Sequence, residues 1–469
     1  MCNTQLILSI TTNQIIRMRF LFLLLTLCLE TSWGLAQPNI IFILTDDQRW
    51  DAMGAAGNEI IHTPHMDQLA QEGVHFTNAF VTTPICAASR ASFLTGLYER
   101  THDYTFQTPP LAKRYIDMSY PKLLKDAGYR TGFFGKLGVN FHQKLDTAIF
   151  DEIFTATTNG YFRLTGPGWK DHVHLTDHTT DKALDFIDQV PDGQSFCLSI
   201  SYNAAHADDS SPQQYFWPER HDQLYEDVTI PDPPLAADQY LKAQPDFIQA
   251  PDYMGRIRYK WRFDTPEKYQ EKVKGYYRMV TTIDDNLGRI RSKLRDKNLD
   301  ENTVIIFMSD NGYFLGERQL SGKWLMYENS IRVPLIIYDP RSSFSTEVEE
   351  MALNIDIAPT ILELAEQPTP DGMQGQSLLP LVQGQKPEWR EDFICEHLYE
   401  LEYIPKSEGI RTKKWKYFRY IDRPGTEELY DLESDPLEKN NLASDPSQKN
   451  RLIDLRTRTN ETISTLDNW

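Results

Sequence analysis

Cys86 and Arg90 share the stretch "TPICAASRASFLTG", Thr83 to Gly96, in which small and hydroxyl residues fill most other positions. Two further pairs carry chemistry: Asp46 and Asp47 follow the apolar run "IIFILT", and Asp310 and Asn311 follow "VIIFMS". Three carboxylates and a carboxamide form an oxygen-only donor set, which suits a hard divalent cation. Ca²⁺ is favoured over Mg²⁺ because several direct protein ligands tolerate irregular geometry. A lone acidic pair after a strand reads as a solvated turn, whereas two such tips after wholly apolar strands read as one metal site. Lys136 ends "TGFFG", and His206 ends "CLSISYNAA".

Pro84 and the helical pattern "ASRASFLTGL" place Cys86 at a helix N-terminus, with Gly96 as the C-cap. Free amides and the positive dipole end favour an anion there. A thiolate nucleophile is the first reading. Beside three carboxylates a thiolate is disfavoured, and sulfur is a poor partner for a hard cation. An oxygen nucleophile derived from a carbonyl suits the metal better.

These side chains need strands that end together. Apolar β-rich runs alternate with helical patterns, the signature of an α/β chain with a mostly parallel sheet covered on both faces. The spacing predicts strands at 38–45, 130–136, 195–202, 303–309 and 333–339, and helices at 65–73, 119–128 (Ser119 as N-cap), 180–190 and 266–298. In parallel sheets ligands sit beyond the carboxyl ends of the strands, so the polar tips converge on one site. Pro and Gly concentrate between Asp356 and Gly384. A catalytic domain at 37–384 is expected, then a small α+β subdomain at 385–469 with short antiparallel strands and a helix from about Pro446.

Composition is globular, 40% hydrophobic and 25% charged, and 48 Lys plus Arg against 67 Asp plus Glu give −19 over 469 residues. Such a surface repels nucleic acid, and an anionic substrate needs a local basic pocket. Arg17 and Arg19 precede "FLFLLLTLCL", too short to span a bilayer comfortably, and "GLA" offers cleavage at Ala36. Residues 1–36 are thus expected to be an export signal, starting at Met1 or Met18, with the product periplasmic or secreted. Cys86, Cys197 and Cys395 then remain, too few for a disulfide framework; the last two lie in apolar runs.

"CAASR" followed by "ASFLTG" resembles the signature of type I sulfatases in the alkaline phosphatase superfamily. "PNIIFILTDDQ", "GYRTGFFGK", "SDNGYFLGE", "GKWLMYENSIRVPLII" and "LYDLESDPLEKNNLA" extend the likeness over nearly the whole chain past the leader. The resemblance implies an alkaline phosphatase-like sandwich and a maturation enzyme that converts Cys86 to Cα-formylglycine. It further implies one Ca²⁺ held by Asp46, Asp47, Asp310, Asn311 and the modified Cys86. Arg90 would steady the formylglycine, Lys136 and Lys323 would hold sulfate oxygens, and His206 would lie near the leaving group. The chain departs from the pattern at Gly138, where many members carry a histidine; His142 supplies the imidazole if the loop folds back.

In "GRIRYKWRF", Arg256, Arg258, Lys260 and Arg262 fall on one face if the segment is extended, with Tyr259 and Trp261 between them. Arg256, Arg258, Trp261 and Arg262 are candidate contacts for a sulfated or carboxylated sugar. The expected substrates are sulfated glycans, from glycosaminoglycan or from algal polysaccharides such as ulvan or carrageenan. A phosphoester hydrolase of the same superfamily and a silent glycan-binding protein are the alternatives. His174 and His178 in "DHVHLTDH" read as loop residues.

Overall fold

Strand β1 (Asn39–Thr45) is an apolar run between Asn39 and Thr45, all of it buried, and it lies at the middle of the largest sheet. The computed structural model describes residues 37–106, 108–141, 146–156, 161 and 173–469. The sheet adds β2 (Val74–Phe76), β3 (Arg130–Gly135), β4 (Glu152–Thr155), β5 (Phe196–Ser201), β6 (Thr303–Ser309), β7 (Leu335–Tyr338) and β8 (Thr346–Val348). Its order is β8-β2-β7-β6-β1-β5-β3-β4. Every neighbouring pair is parallel except those made by β7.

Alternation along the strands sorts side chains into two cores. Ile40, Phe42 and Leu44 of β1 join Val304, Ile306 and Met308 of β6 on one face; Ile41 and Ile43 join Ile305 and Phe307 on the other. Helices α2 (Cys86–Thr95), α3 (Tyr120–Asp126) and α7 (Ile357–Leu364) cover the first face. The second is covered by α1 (Pro64–Glu72), α4 (Leu175–Asp188) and α6 (Pro266–Asp296). This is the large, mostly parallel sheet between helices that the sequence predicts.

Two local expectations change. Ser119 stands before α3, but its hydroxyl donates to the Ile116 carbonyl at 2.6 Å instead of capping the helix. The segment "GRIRYKWR" lies within α5 (Met254–Arg262), so its basic residues do not share one extended face.

The C-terminal segment builds an antiparallel sheet of β9 (Asp392–His397), β10 (Ser407–Thr412), β11 (Trp415–Tyr420) and β12 (Glu427–Asp431). Helix α8 (Lys449–Asp467) packs on it through Leu455 and Leu466. Residues 38–469 form one compact unit that contains both sheets. Among the described residues no helix is long and apolar enough to cross a membrane.

Candidate functional site

β1 and β6 run parallel in register, Thr45 opposite Ser309, so Asp46–Asp47 and Asp310–Asn311 leave the sheet at one edge. Alternation turns Asp46 and Asp310 toward the face covered by α2. The tip of β5 is tied in as well: Asp46 N donates to Ala204 O at 3.0 Å, and Ala205 N donates to Asp46 O at 2.7 Å. Asp47 takes φ 61°, a left-handed conformation that aspartate tolerates better than most residues. Its amide then faces Asp310 Oδ1 at 3.3 Å, and Asn311 Nδ2 donates to Asp47 Oδ1 at 2.5 Å.

Among the described residues three oxygens of this group have no hydrogen-bond donor: Asp46 Oδ1, Asp47 Oδ2 and Asn311 Oδ1. All three residues are at most 1% exposed. Buried acceptors without partners are costly, and converging carboxylate and amide oxygens are the donor set of a hard cation. Ligand atoms of Asp46, Asp47 and His206 lie within 4.8 Å of one another. The residues present therefore fit a divalent metal.

Cys86 opens α2 and is 7% exposed; the whole helix is buried. One turn on, Arg90 reaches back across the sheet edge. Its Nε donates to Asp310 Oδ2 at 2.8 Å, and its Nη1 donates to Lys136 O at 2.6 Å and Ser201 Oγ at 2.5 Å. Lys136, just past β3, is paired with Asp46, and Lys323 is paired with Asp47. His206 Nε2 stands 3.7 Å from Asp47 Oδ2, and Nδ1 bonds Ala207 O at 2.7 Å.

Burial opposes the Asp46 charge, yet Lys136, His206, Lys323 and Arg90 hold its carboxyl well below the usual range. Burial and Asp46 push Asp310 up to about 6. Burial lowers His206 to about 4, against the pull of Asp47 and Asp46, so the free imidazole is neutral near pH 7. Lys323 is raised despite its burial, chiefly by Asp47. Arg90, Lys136 and Lys323 balance Asp46, Asp47 and Asp310. A divalent cation would thus leave the site positive inside a chain of net charge −19, a setting for an anionic substrate.

The departure at Gly138 has a structural reason. Its φ is +69°, and a Cβ built there would lie 2.6 Å from Arg90 Cδ, so the loop passes against the arginine. Tyr104 pins the loop: its hydroxyl donates to Gly138 O at 3.3 Å and accepts from Asn140 N at 2.9 Å. His142 lies outside the described residues.

Of the candidate sugar contacts, Arg262 is fully buried and bonds Gln214, Tyr313, Ser321 and Asp209, so it is not a surface contact. Trp261 is 42% exposed. Arg256 donates to Gln319 O at 2.6 Å. Arg258 pairs with Asp209 and lies over the Trp324 ring, 4.8 Å from its centroid. His174, still outside the helix, caps α4 by accepting from Thr176 N at 3.3 Å, whereas His178 lies within that helix and is not a loop residue.

Sequence reasoning missed Ser201, whose hydroxyl accepts from Arg90 and donates to Lys136 O at 2.7 Å. A hydroxyl on the last residue of an apolar strand was the available signal. It also missed His102, which accepts from Tyr104 N at 3.1 Å through Nδ1 and meets Ser92 Oγ of α2 at 3.1 Å through Nε2. Burial lowers its pKa to about 3, so this imidazole is a neutral brace.

The chain resembles known proteins over most of its length. A Sulfatase family model matches residues 38–367, and an N-sulphoglucosamine sulphohydrolase C-terminal model matches 316–465. The N-acetylglucosamine-6-O-sulfatase of Bacteroides thetaiotaomicron is 28% identical over 87% of this chain and 82% of its own. A structure solved in complex with its substrate D-glucosamine-2-N,6-O-disulfate superposes with TM-score 0.79 and 25% identity, covering 92% of this chain and 98% of that one. The phosphonate monoester hydrolase of Agrobacterium radiobacter, at 21% identity and TM-score 0.77 over 92% and 96%, shares the fold. With the Sulfatase match running from the first residue before β1 to beyond α7, the chain belongs to the sulfatase family of the alkaline phosphatase superfamily and is a sulfatase.

Proposed function

We propose that the protein releases sulfate from sulfated carbohydrates, with Cys86, converted to Cα-formylglycine, as the nucleophilic position. One Ca²⁺ would be held by Asp46, Asp47, Asp310 and Asn311 with an oxygen of the modified residue. The observation that carries this reading is the set of three unpartnered oxygens ringed by Arg90, Lys136 and Lys323. The sulfated-sugar relatives named above support the substrate class, and an all-oxygen donor set with several direct protein ligands supports Ca²⁺ over Mg²⁺.

The metal and the hydrated aldehyde together supply an oxygen nucleophile of lowered pKa. The chain's own residues do the rest. Arg90, locked by Asp310, Ser201 and the Lys136 carbonyl, stands one helical turn from Cys86 and offsets negative charge there. Lys136, with 16% of its side chain open, and Lys323 present ammonium groups to the sulfate oxygens. His206 has Nδ1 engaged by Ala207 O, which leaves Nε2 to hand a proton to the departing alcohol oxygen. The negative charge of bound sulfate favours the imidazolium that this transfer needs.

Cys86 is at most 7% exposed, so a maturation enzyme would act before α2 is packed. The apolar leader supports export to the periplasm or beyond. Mass spectrometry of the peptide spanning residue 86 should find an aldehyde in active protein, and Cys86→Ala should reduce sulfate release by about 10³-fold or more. An intact thiol in fully active protein would overturn the nucleophile. Metal analysis should return one Ca²⁺ per chain. Because the fold also serves phosphonate ester hydrolysis, 4-nitrophenyl sulfate and 4-nitrophenyl phosphate should be compared; faster phosphate release would favour the phosphoesterase reading.

A further inference from the structure

Helix α5 sets Arg258 and Arg262 one turn apart, and both reach the same carboxylate, Asp209. Among the described residues Asp209 is the one acidic group within ion-pair distance of either arginine. The trio therefore keeps one positive charge unneutralised in a strongly acidic chain. Arg262 spends its other donors on Gln214, Tyr313 and Ser321 and is fully buried. Arg258 does not: its Nη2 holds Asp209, and among the described residues its enclosed Nε and its Nη1 make no hydrogen bond. A side chain that is 13% exposed thus carries an unused donor at Nη1.

Its position ties it to the reaction centre. The guanidinium lies over Trp324, the residue after Lys323. Trp324 N donates to Pro84 O at 3.1 Å, two residues before Cys86, and its ring packs with Ile85 and Ala88 of the nucleophile segment and with Ile404 from the C-terminal region. Asp209 also lies within electrostatic reach of His206. Arg258 is therefore one indole ring away from the helix that bears Cys86, while the charges that serve the scissile sulfate are already held by Asp46, Asp47 and Asp310.

We infer that Arg258, held over Trp324 by Asp209, is a subsite for a second anionic group, sulfate or carboxylate, on the sugar whose sulfate ester is cleaved. This rests on the proposed sulfated-carbohydrate activity. The Nη1 amine of a guanidinium so held recognises either oxyanion through charge-assisted hydrogen bonds. Asp209 is the positioning residue, and Arg258 confers specificity.

The test compares kcat/KM for a 6-O-sulfated glucosamine, its 2-N-sulfated counterpart and a 6-O-sulfated glucosamine linked to a hexuronate. Wild type should prefer a doubly anionic substrate by about tenfold or more, through KM. Arg258→Met, which keeps the stem on Trp324, should bring that ratio close to one, and Arg258→Lys should retain part of it. Preference for the N-sulfated arm alone assigns a sulfate subsite, and preference for the hexuronate arm alone assigns a carboxylate subsite. Equal rates in wild type, or an undiminished ratio in a folded Arg258→Met with unchanged thermal melting, overturns the inference. Should no sulfate ester be cleaved, the activity itself fails, and calorimetric titration with glucosamine 2-N,6-O-disulfate still decides: equal affinity of wild type and Arg258→Met removes the subsite.

Discussion

A single Cβ at position 138 separates this site from the pattern it otherwise resembles. Backbone at φ +69° costs a side-chain-bearing residue about 1–2 kcal/mol, and the added atom would lie 2.6 Å from Arg90 Cδ. Gly138→Ala should therefore lower stability by about 1–3 kcal/mol in denaturant unfolding and cut sulfate release about tenfold, by moving Arg90 off Asp310. An active, stable Gly138→His would show that the loop can present an imidazole from this position. At this scale the aspartates, Asn311, Cys86, Lys136 and His206 were legible because each follows a recognisable strand or opens a helix, and Arg90 through its place in "CAASR". Ser201 was not, because its hydroxyl meets Arg90 and the Lys136 carbonyl only once distant segments come together, and His102 was not, because its meeting with Ser92 depends on how the chain turns back after α2.

Among the elements, α5 shows where periodicity misled. Alternation in "GRIRYKWR" fits an extended strand, but the segment is helical, and the helical period pairs Arg258 with Arg262 over Asp209. A buried arginine that satisfies four neighbours cannot be removed cheaply. Arg262→Met should cost about 3 kcal/mol or more, since Gln214, Tyr313 and Ser321 lose their donor. Trp261→Ala, on the exposed side of the same helix, should change stability by about 0.5 kcal/mol or less. Chemical denaturation of the two variants checks the contrast, and equal losses would contradict the assignment of faces.

Over the whole molecule, the antiparallel sheet is bolted to the strands and helices that hold the site. Lys416 of β11 bridges Glu328 at 2.7 Å and Glu438 at 2.6 Å, and Tyr327, Tyr420 and Tyr430 all donate to Glu428. Glu99 sits at this join, accepting from Thr83 Oγ1 at 2.7 Å and Leu398 N at 3.3 Å. Burial and then Glu396 raise its pKa to about 8 from an ordinary 4.5, while Thr83, Leu398 and Arg100 pull the other way. The folded protein therefore binds a proton that the unfolded chain releases, and stability falls as pH rises from about 4.5 to about 8. Glu99→Gln should flatten that decline, by on the order of a few kcal/mol at its upper end. Melting temperatures from pH 5 to 9 measure it; parallel curves for the two proteins would exclude Glu99 as the source.

By itself the sequence determined the strands that build the sheet, the polar residues at their tips and the helix opened by Cys86, because apolar runs, turn residues and caps are local signals. Tertiary structure decided what those tips do together. Parallel register between β1 and β6, segments some 260 residues apart, brings Asp47 to Asp310 and leaves three oxygens without donors among the described residues. It also decided which basic residues are structural and which stay available: Arg262 became a buried strut and Arg258 a half-used cation on Trp324. Charge neutralisation depends on distances across the fold, and no spacing along the chain encodes them.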